Sequence, residues 1–189
     1  LQDHQISLDR AALIIAAETQ KDLDVGAYLA MLDSLALTLQ KKISKDPAVA
    51  AQQLIDFIHK DERFKGNTND YYAPDNSYLN RVIDTRQGIP LSLALIHLAL
   101  GNRLNINIKG INFPGHFLMQ YEAFENRIID PFTGRKLSQS DCATLLKQIA
   151  GPTAVINPSH MQQATNIGIL ARLLDNLKQI HWRAKNWQS

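Results

Sequence analysis

Three residue types that cooperate in acyl transfer stand in order along the middle of this chain: Ser92, His116 and Asp130. Ser92 follows the tight Gly88-Ile89-Pro90 turn, at the head of the apolar run LSLALIHLAL. A nucleophile at the start of a helix benefits from the positive end of the helix dipole. His116 follows in PGHFLMQY and Asp130 in RIIDPFTG. A histidine there can take a hydroxyl proton, while the acid holds its other ring nitrogen and fixes the tautomer. A plainer role is open to each residue. The Ser92 hydroxyl can bond to local backbone in a first helical turn, and His116 and Asp130 can be a hydrogen-bonded pair bracing two strands.

These side chains need elements to hold them. Pro90 suits the first position of a helix that runs to about Arg103. Before it, Ser77 is read as the cap of YLNRVIDTRQ, with Leu79, Val82 and Ile83 on one face and Gly88 as the stop. After it the period changes to two: NINIKGINF, HFLMQYE and NRIID read as strands, the last ended by the turn residues at 131–134. Upstream, three helical patterns are announced by Ser7 or Asp9, by Asp24, and by Asp46-Pro47. FKGNTNDYYAPDNS between them reads as a long ordered loop, its tyrosines suited to a surface turn or a recognition rim. Downstream, Ser138 or Ser140 caps a helix at about 139–149, and a last helix spans about 160–185. The order is α+β: a helical N-terminal lobe (residues 1–63), a core with a small antiparallel sheet (64–157) and C-terminal helix (158–189).

Composition narrows the function classes. At 45% hydrophobic and 20% charged, the chain reads as an ordinary globular protein. A net charge of +2, with Lys and Arg scattered rather than striped, gives no nucleic-acid footprint. No apolar stretch is long enough to span a membrane, and no signal-peptide pattern is visible. The lone Cys142 cannot make an internal disulfide, which points to the reducing cytoplasm. Six histidines form no HxxxH pair and have no cysteine beside them, so no metal site and no cofactor is expected. His97, on an apolar helix, is read as a core histidine. Arg81 and Arg86 flank the Asn-rich loop as structural braces, with binding of an acidic group as the alternative. HWRAKNWQS at the C-terminus reads as an amphipathic helix end or a partner surface.

Taken together, YYAPDNSYLNRVIDTRQGIPLSLALIHLAL, GINFPGHFLMQY and IIDPFTG resemble the SirB-type branch of the transglutaminase-like superfamily. Asn76, Asn80, Arg86, Gly88, Pro90, Pro114, Gly115 and His116 carry the likeness, strongest over residues 70–135. The resemblance implies a cysteine-protease-like core in which the order is helix, strand histidine, strand aspartate. It also implies a catalytic cysteine in a GxCxxxA-like frame. Gly88-Ile89-Pro90 takes that frame and Ala94 its alanine, so the nucleophile's position holds Pro90. Ser92, two positions on, would turn roughly 200° around the helix. Cys142 lies outside the motif.

Three readings follow. The first is a non-catalytic module whose cleft, near Arg86, Gly88, His116 and Asp130, holds a peptide or small ligand without cutting it. The second is a hydrolase or acyltransferase using Ser92, with His116 as base and Asp130 as orienting acid. A third, regulatory, reading has the helices contact a protein partner while the core is inert support. The resemblance further implies tetratricopeptide-like helices after the core, of which 158–189 would be the start. The sequence specifies no oligomeric state.

Overall fold

The computed structural model describes residues 2–125 and 127–185. Its first three helices are α1 (Leu8–Ala17), α2 (Val25–Gln40) and α3 (Pro47–Asp56), the last running on into a π-helical turn at Phe57–Asp61. Asp24 and Asp46 cap as their sequence positions suggest. Asp24 accepts from the Ala27 N–H at 3.0 Å, and Asp46 accepts from the N–H groups of Ala48 and Val49. Ser7 sits at the N-cap of α1, yet its hydroxyl donates to Asp9 at 2.6 Å rather than capping the helix.

The segment read as a long ordered loop also holds regular structure. Within it, β1 (Lys65–Gly66) pairs in parallel with β2 (Gln87–Gly88), and a 3-10 turn forms at Pro74–Asn76. Two-residue strands have no periodicity to read, which is why the composition alone suggested a loop. The next helix, α4 (Leu79–Thr85), also departs from expectation at both ends. Tyr78, not Ser77, is its N-cap, and the buried Ser77 hydroxyl has no hydrogen-bond partner among the described residues. Arg86, not Gly88, ends it, in a left-handed conformation with φ of 59°.

Helix α5 (Pro90–Arg103) is the axis of the molecule: eleven of its fourteen residues are buried, so it is packed on nearly every side. Four strands follow, β3 (Ile108–Ile111), β4 (Leu118–Tyr121), β5 (Ile128–Ile129) and β6 (Lys136–Leu137), in that order and antiparallel throughout. The fourth is an addition to the three expected. Along β4 the side chains alternate between faces: Met119 enters the main core around α5, and Leu118 enters a smaller core. That smaller core lies against α6 (Gln139–Ala150), which Ser138 caps by accepting from the Asp141 N–H.

The last helix, α7 (Asn166–Lys185), begins later than its sequence pattern suggested, after a 3-10 turn at Pro158–Met161. Asp3 closes its N-terminus, accepting from the N–H groups of Asn166 and Ile167 at 2.9 Å each. Ile169, Leu173 and Leu177 seat it on the main core. Trp187 and the rest of 186–189, part of the expected amphipathic end, lie outside the described residues. No helix among the described residues is long and apolar enough to cross a membrane.

Candidate functional site

The site starts from Asn76, which ties the tyrosine loop to the head of α5. Its side-chain amide donates to the carbonyls of Asp70 (2.6 Å) and Tyr71 (3.1 Å), and its side-chain oxygen accepts from Asn67. Its own carbonyl accepts from the Ser92 hydroxyl at 2.6 Å. The Ser92 oxygen in turn accepts from the Ile89 N–H at 3.1 Å, the reciprocal half of a helix-capping box. Ser92 is fully buried and its hydroxyl is spent on backbone. No hydrogen bond joins it to His116.

His116 and Asp130 do meet. Gly115, with φ of +64°, makes the turn that delivers His116, and the side chain of Ile149 from α6 fills the space where a Cβ would stand. The His116 Nε2 lies 2.9 Å from an Asp130 oxygen. Asp130 also accepts from the Phe132 N–H (2.9 Å) and the Thr133 hydroxyl (2.8 Å). Burial works against its charge, but the bonds from His116, Thr133 and Phe132 outweigh it and hold its pKa below the ordinary carboxylate value. An ionised carboxylate only accepts, so Nε2 carries the proton and Nδ1 is the basic nitrogen of the neutral ring.

A cleft of about 400 Å³, within the usual size range for small-molecule sites, opens beside this pair. Its walls are the loop at Tyr71 and Tyr72, residues 89–91 at the head of α5, residues 115–117 before β4, and α7. Pro90 and His116 both line it, and Ser92 does not. Among the described residues, no Cys, Ser, Thr or Lys side chain lines it. Phe132 connects the walls from behind, with ring centroids 6.0 Å from Tyr71 and 6.5 Å from His116. That ring lies on Gly66, whose N–H donates to the Phe132 carbonyl at 3.0 Å.

The remaining motif residues support the site from a distance. Gly88 is buried under Ser92, and Asn80 pairs with Gln20 at 2.7 Å. Pro114 precedes the Gly115 turn. Arg86 is not on the cleft: it pairs with Glu62 at 3.1 Å and stacks over Phe64. Arg81 likewise braces Asp75 and Asp84. His97 is fully buried, bonded to His59 and Tyr121. Burial pushes the Cys142 thiol up, away from the thiolate that a nucleophile needs.

Sequence reasoning missed the α7 wall. Arg172, Asp175, Asn176 and Gln179 all line the cleft and recur at helical spacing, a readable polar stripe. What that stripe faces is set by how α7 docks, which no local pattern carries.

The matching family model is the one described as Transglutaminase-like superfamily, over residues 26–175. A UPF0162 protein of Pseudomonas aeruginosa is 34% identical over 177 residues, covering 93% of this chain and 65% of that protein. A UPF0162 protein of Xylella fastidiosa is 31% identical over 200 residues, covering 99% and 69%. F-box only protein 21 of Homo sapiens is 34% identical over 96 residues, covering 46% of this chain and 15% of that protein. The chain therefore spans about two-thirds of the length of its bacterial relatives. No solved structure matches. The family match takes in Pro90, the His116–Asp130 pair and Arg172 together, and on that extent the chain belongs to the transglutaminase-like superfamily.

Proposed function

We propose that the cleft is the emptied nucleophile seat of a SirB-type transglutaminase-like domain, used to bind a peptide or small ligand without cutting it. One observation carries the reading: His116, oriented by Asp130, shares its cleft with Pro90 and with no side-chain thiol, hydroxymethyl or amine among the described residues. Proline has no atom that a base can convert into a nucleophile. The rest of the machinery persists because it also shapes the cleft, Asp130 holding both the imidazole and the 130–134 turn. The SirB-type assignment draws its support from Asn76, Gly88, Pro90, Gly115 and His116 falling in order around this one site. The cytoplasm remains the proposed location, on the lone, buried Cys142.

The alternative, a serine enzyme built on Ser92, lacks a free hydroxyl, because Asn76 and Ile89 already engage it. A fluorophosphonate probe separates the two. The folded wild type is expected to stay unlabelled, while Pro90→Cys gains a thiol whose alkylation by iodoacetamide slows when His116→Ala is added. Fluorophosphonate labelling that both Ser92→Ala and His116→Ala abolish would overturn the non-catalytic reading.

A further inference from the structure

Four arginines among the described residues are partly buried: Arg81, Arg86, Arg103 and Arg172. The first three each meet a carboxylate, at 3.0 Å to Asp75, 3.1 Å to Glu62 and 2.6 Å to Asp9. Arg172 meets none among the described residues. Its guanidinium donates to the neutral side chain of Asn112 and to the Phe113 carbonyl at 3.1 Å, and it lies 5.7 Å from the Phe117 ring centroid. Withdrawing a cation from water without a counter-charge is unfavourable. Burial accordingly draws the Arg172 pKa down, with Tyr71 pulling weakly the other way. This under-compensated charge stands on the wall of the cleft.

We propose that the cleft recognises a peptide through a carboxylate seated on Arg172. The inference rests on the binding-site reading above and names what that site selects. A guanidinium matches a planar carboxylate with paired N–H donors. A phosphate offers the same acceptors, but Asp175 lines the same cleft, and its charge opposes a dianion more than a monoanion. The peptide follows from the neighbours on α7. Asn176 and Gln179 lie on the Arg172 side of the helix and present donor and acceptor pairs of the kind a peptide backbone takes. Tyr71 supplies an aromatic wall across from them, pinned by Asn76.

Amide resonances of the isotope-labelled chain test this, with three N-acetylated tripeptides as probes. One ends in a free carboxylate, one carries a central aspartate with an amidated end, and one replaces that aspartate by asparagine. A carboxylate peptide is expected to shift Leu91, Gly115 and His116, and which of the two does so identifies the source of the charge. The asparagine peptide is expected to bind about ten-fold more weakly or worse, and Arg172→Gln to erase that preference, with Arg172→Lys retaining part of it. Asp175→Asn, at an exposed position, is expected to tighten carboxylate binding about two-fold. Equal binding of the neutral peptide, indifferent to Arg172→Gln, would overturn the carboxylate while leaving a binding cleft. Absence of shifts from either carboxylate peptide, tighter binding of inorganic phosphate at the same resonances, or no gain from Asp175→Asn would overturn it too. Serine labelling would overturn the non-catalytic reading alone and leave the Arg172 contact standing.

Discussion

The space above Gly88 belongs to Ser92. A Cβ on Gly88 would stand 2.6 Å from the Ser92 oxygen, 3.2 Å from a Val82 methyl and 3.3 Å from Leu93. Its φ is not left-handed, so the objection to a side chain is contact rather than backbone strain. Gly88→Ala is therefore expected to destabilise the fold by about 1–3 kcal/mol in urea unfolding. Ser92→Ala, which takes the 2.6 Å hydroxyl donor from the buried Asn76 carbonyl and leaves it only the Ile89 N–H at 3.3 Å, is expected to cost a similar amount, about 1–3 kcal/mol. Together they should fall short of additivity by more than about 0.5 kcal/mol, because removing the oxygen makes room for the methyl. Full additivity would show that Ser92 is not what excludes a side chain from position 88. At this scale much was legible: the Gly-Ile-Pro turn and the frame around it mark Pro90, and the order of His116 and Asp130 marks the pair. Arg172 was not legible, because nothing within its own helix distinguishes an arginine that meets solvent from one that lines a cleft.

Behind the site runs a second hydrogen-bonded line that joins α5, β4 and the π-helical turn. His59 Nδ1 lies 2.9 Å from the Phe64 carbonyl, its Nε2 lies 3.0 Å from His97 Nε2, and His97 Nδ1 lies 2.5 Å from the Tyr121 hydroxyl. A carbonyl only accepts, so His59 Nδ1 donates to it and the neutral ring's Nε2 accepts from His97. His97 Nδ1 must then accept from Tyr121. Two neutral imidazoles satisfy every position; a proton added to His59 would set two N–H donors face to face, and one added to His97 would turn the buried Tyr121 hydroxyl from donor to acceptor. Burial lowers the pKa of both rings, and the adjacent His59 adds to the effect on His97, while the Phe64 carbonyl, Asp130 and Asp56 partly counter it on His59. Below about pH 6.5 the unfolded chain takes up protons that these folded rings refuse, so stability falls as pH falls. The loss approaches about 1.4 kcal/mol per pH unit for His97, whose pKa is the more strongly depressed, and His59 adds to it in the same direction. The depressed carboxylates Asp9 and Asp130 titrate from 3.8 downward, so their stabilisation is lost only at more acid pH. Urea unfolding at pH 7 and pH 5 should show a smaller loss for His97→Gln than for wild type. An equal loss would mean that the buried pair does not resist protonation. His97 was legible as a core histidine from its apolar helix. Its partners were not, since His59 is 38 residues away and Tyr121 is 24.

At the scale of the whole molecule, the helical and sheet segments that differ so clearly in sequence period share one interior. The main core includes Leu13 of α1, Leu32 of α2, Leu54 of α3, Leu93 of α5, Met119 of β4 and Leu173 of α7. Arg103 adds a polar clamp at the far end of α5, bonded to Asp9 and Asp33 at 2.6 Å each. Hydropathy period announces the elements but not this sharing, and the Asp3 cap on α7 spans more than 160 residues. The smaller core, with Ile111, Phe113, Leu118, Cys142 and Leu146, is held by the other face of the sheet and by α6, with Ala154, Ile156 and Met161 of the following segment packed against it. Its thinner packing makes α6 a unit that can open without the rest. Leu93→Ala, at a fully buried position, is expected to cost about 2–5 kcal/mol and to raise amide exchange in α2, α5 and β4 together. Leu146→Ala is expected to raise exchange chiefly in α6, leaving protection in α5 near its wild-type level. Because Ile149 of α6 covers Gly115, that opening should also loosen the turn presenting His116, visible as faster exchange at the His116 amide, which bonds to the Phe113 carbonyl at 3.2 Å. Uniform loss of protection after Leu146→Ala would instead show that both cores open as one, and that the cleft can be loosened only by unfolding the whole chain.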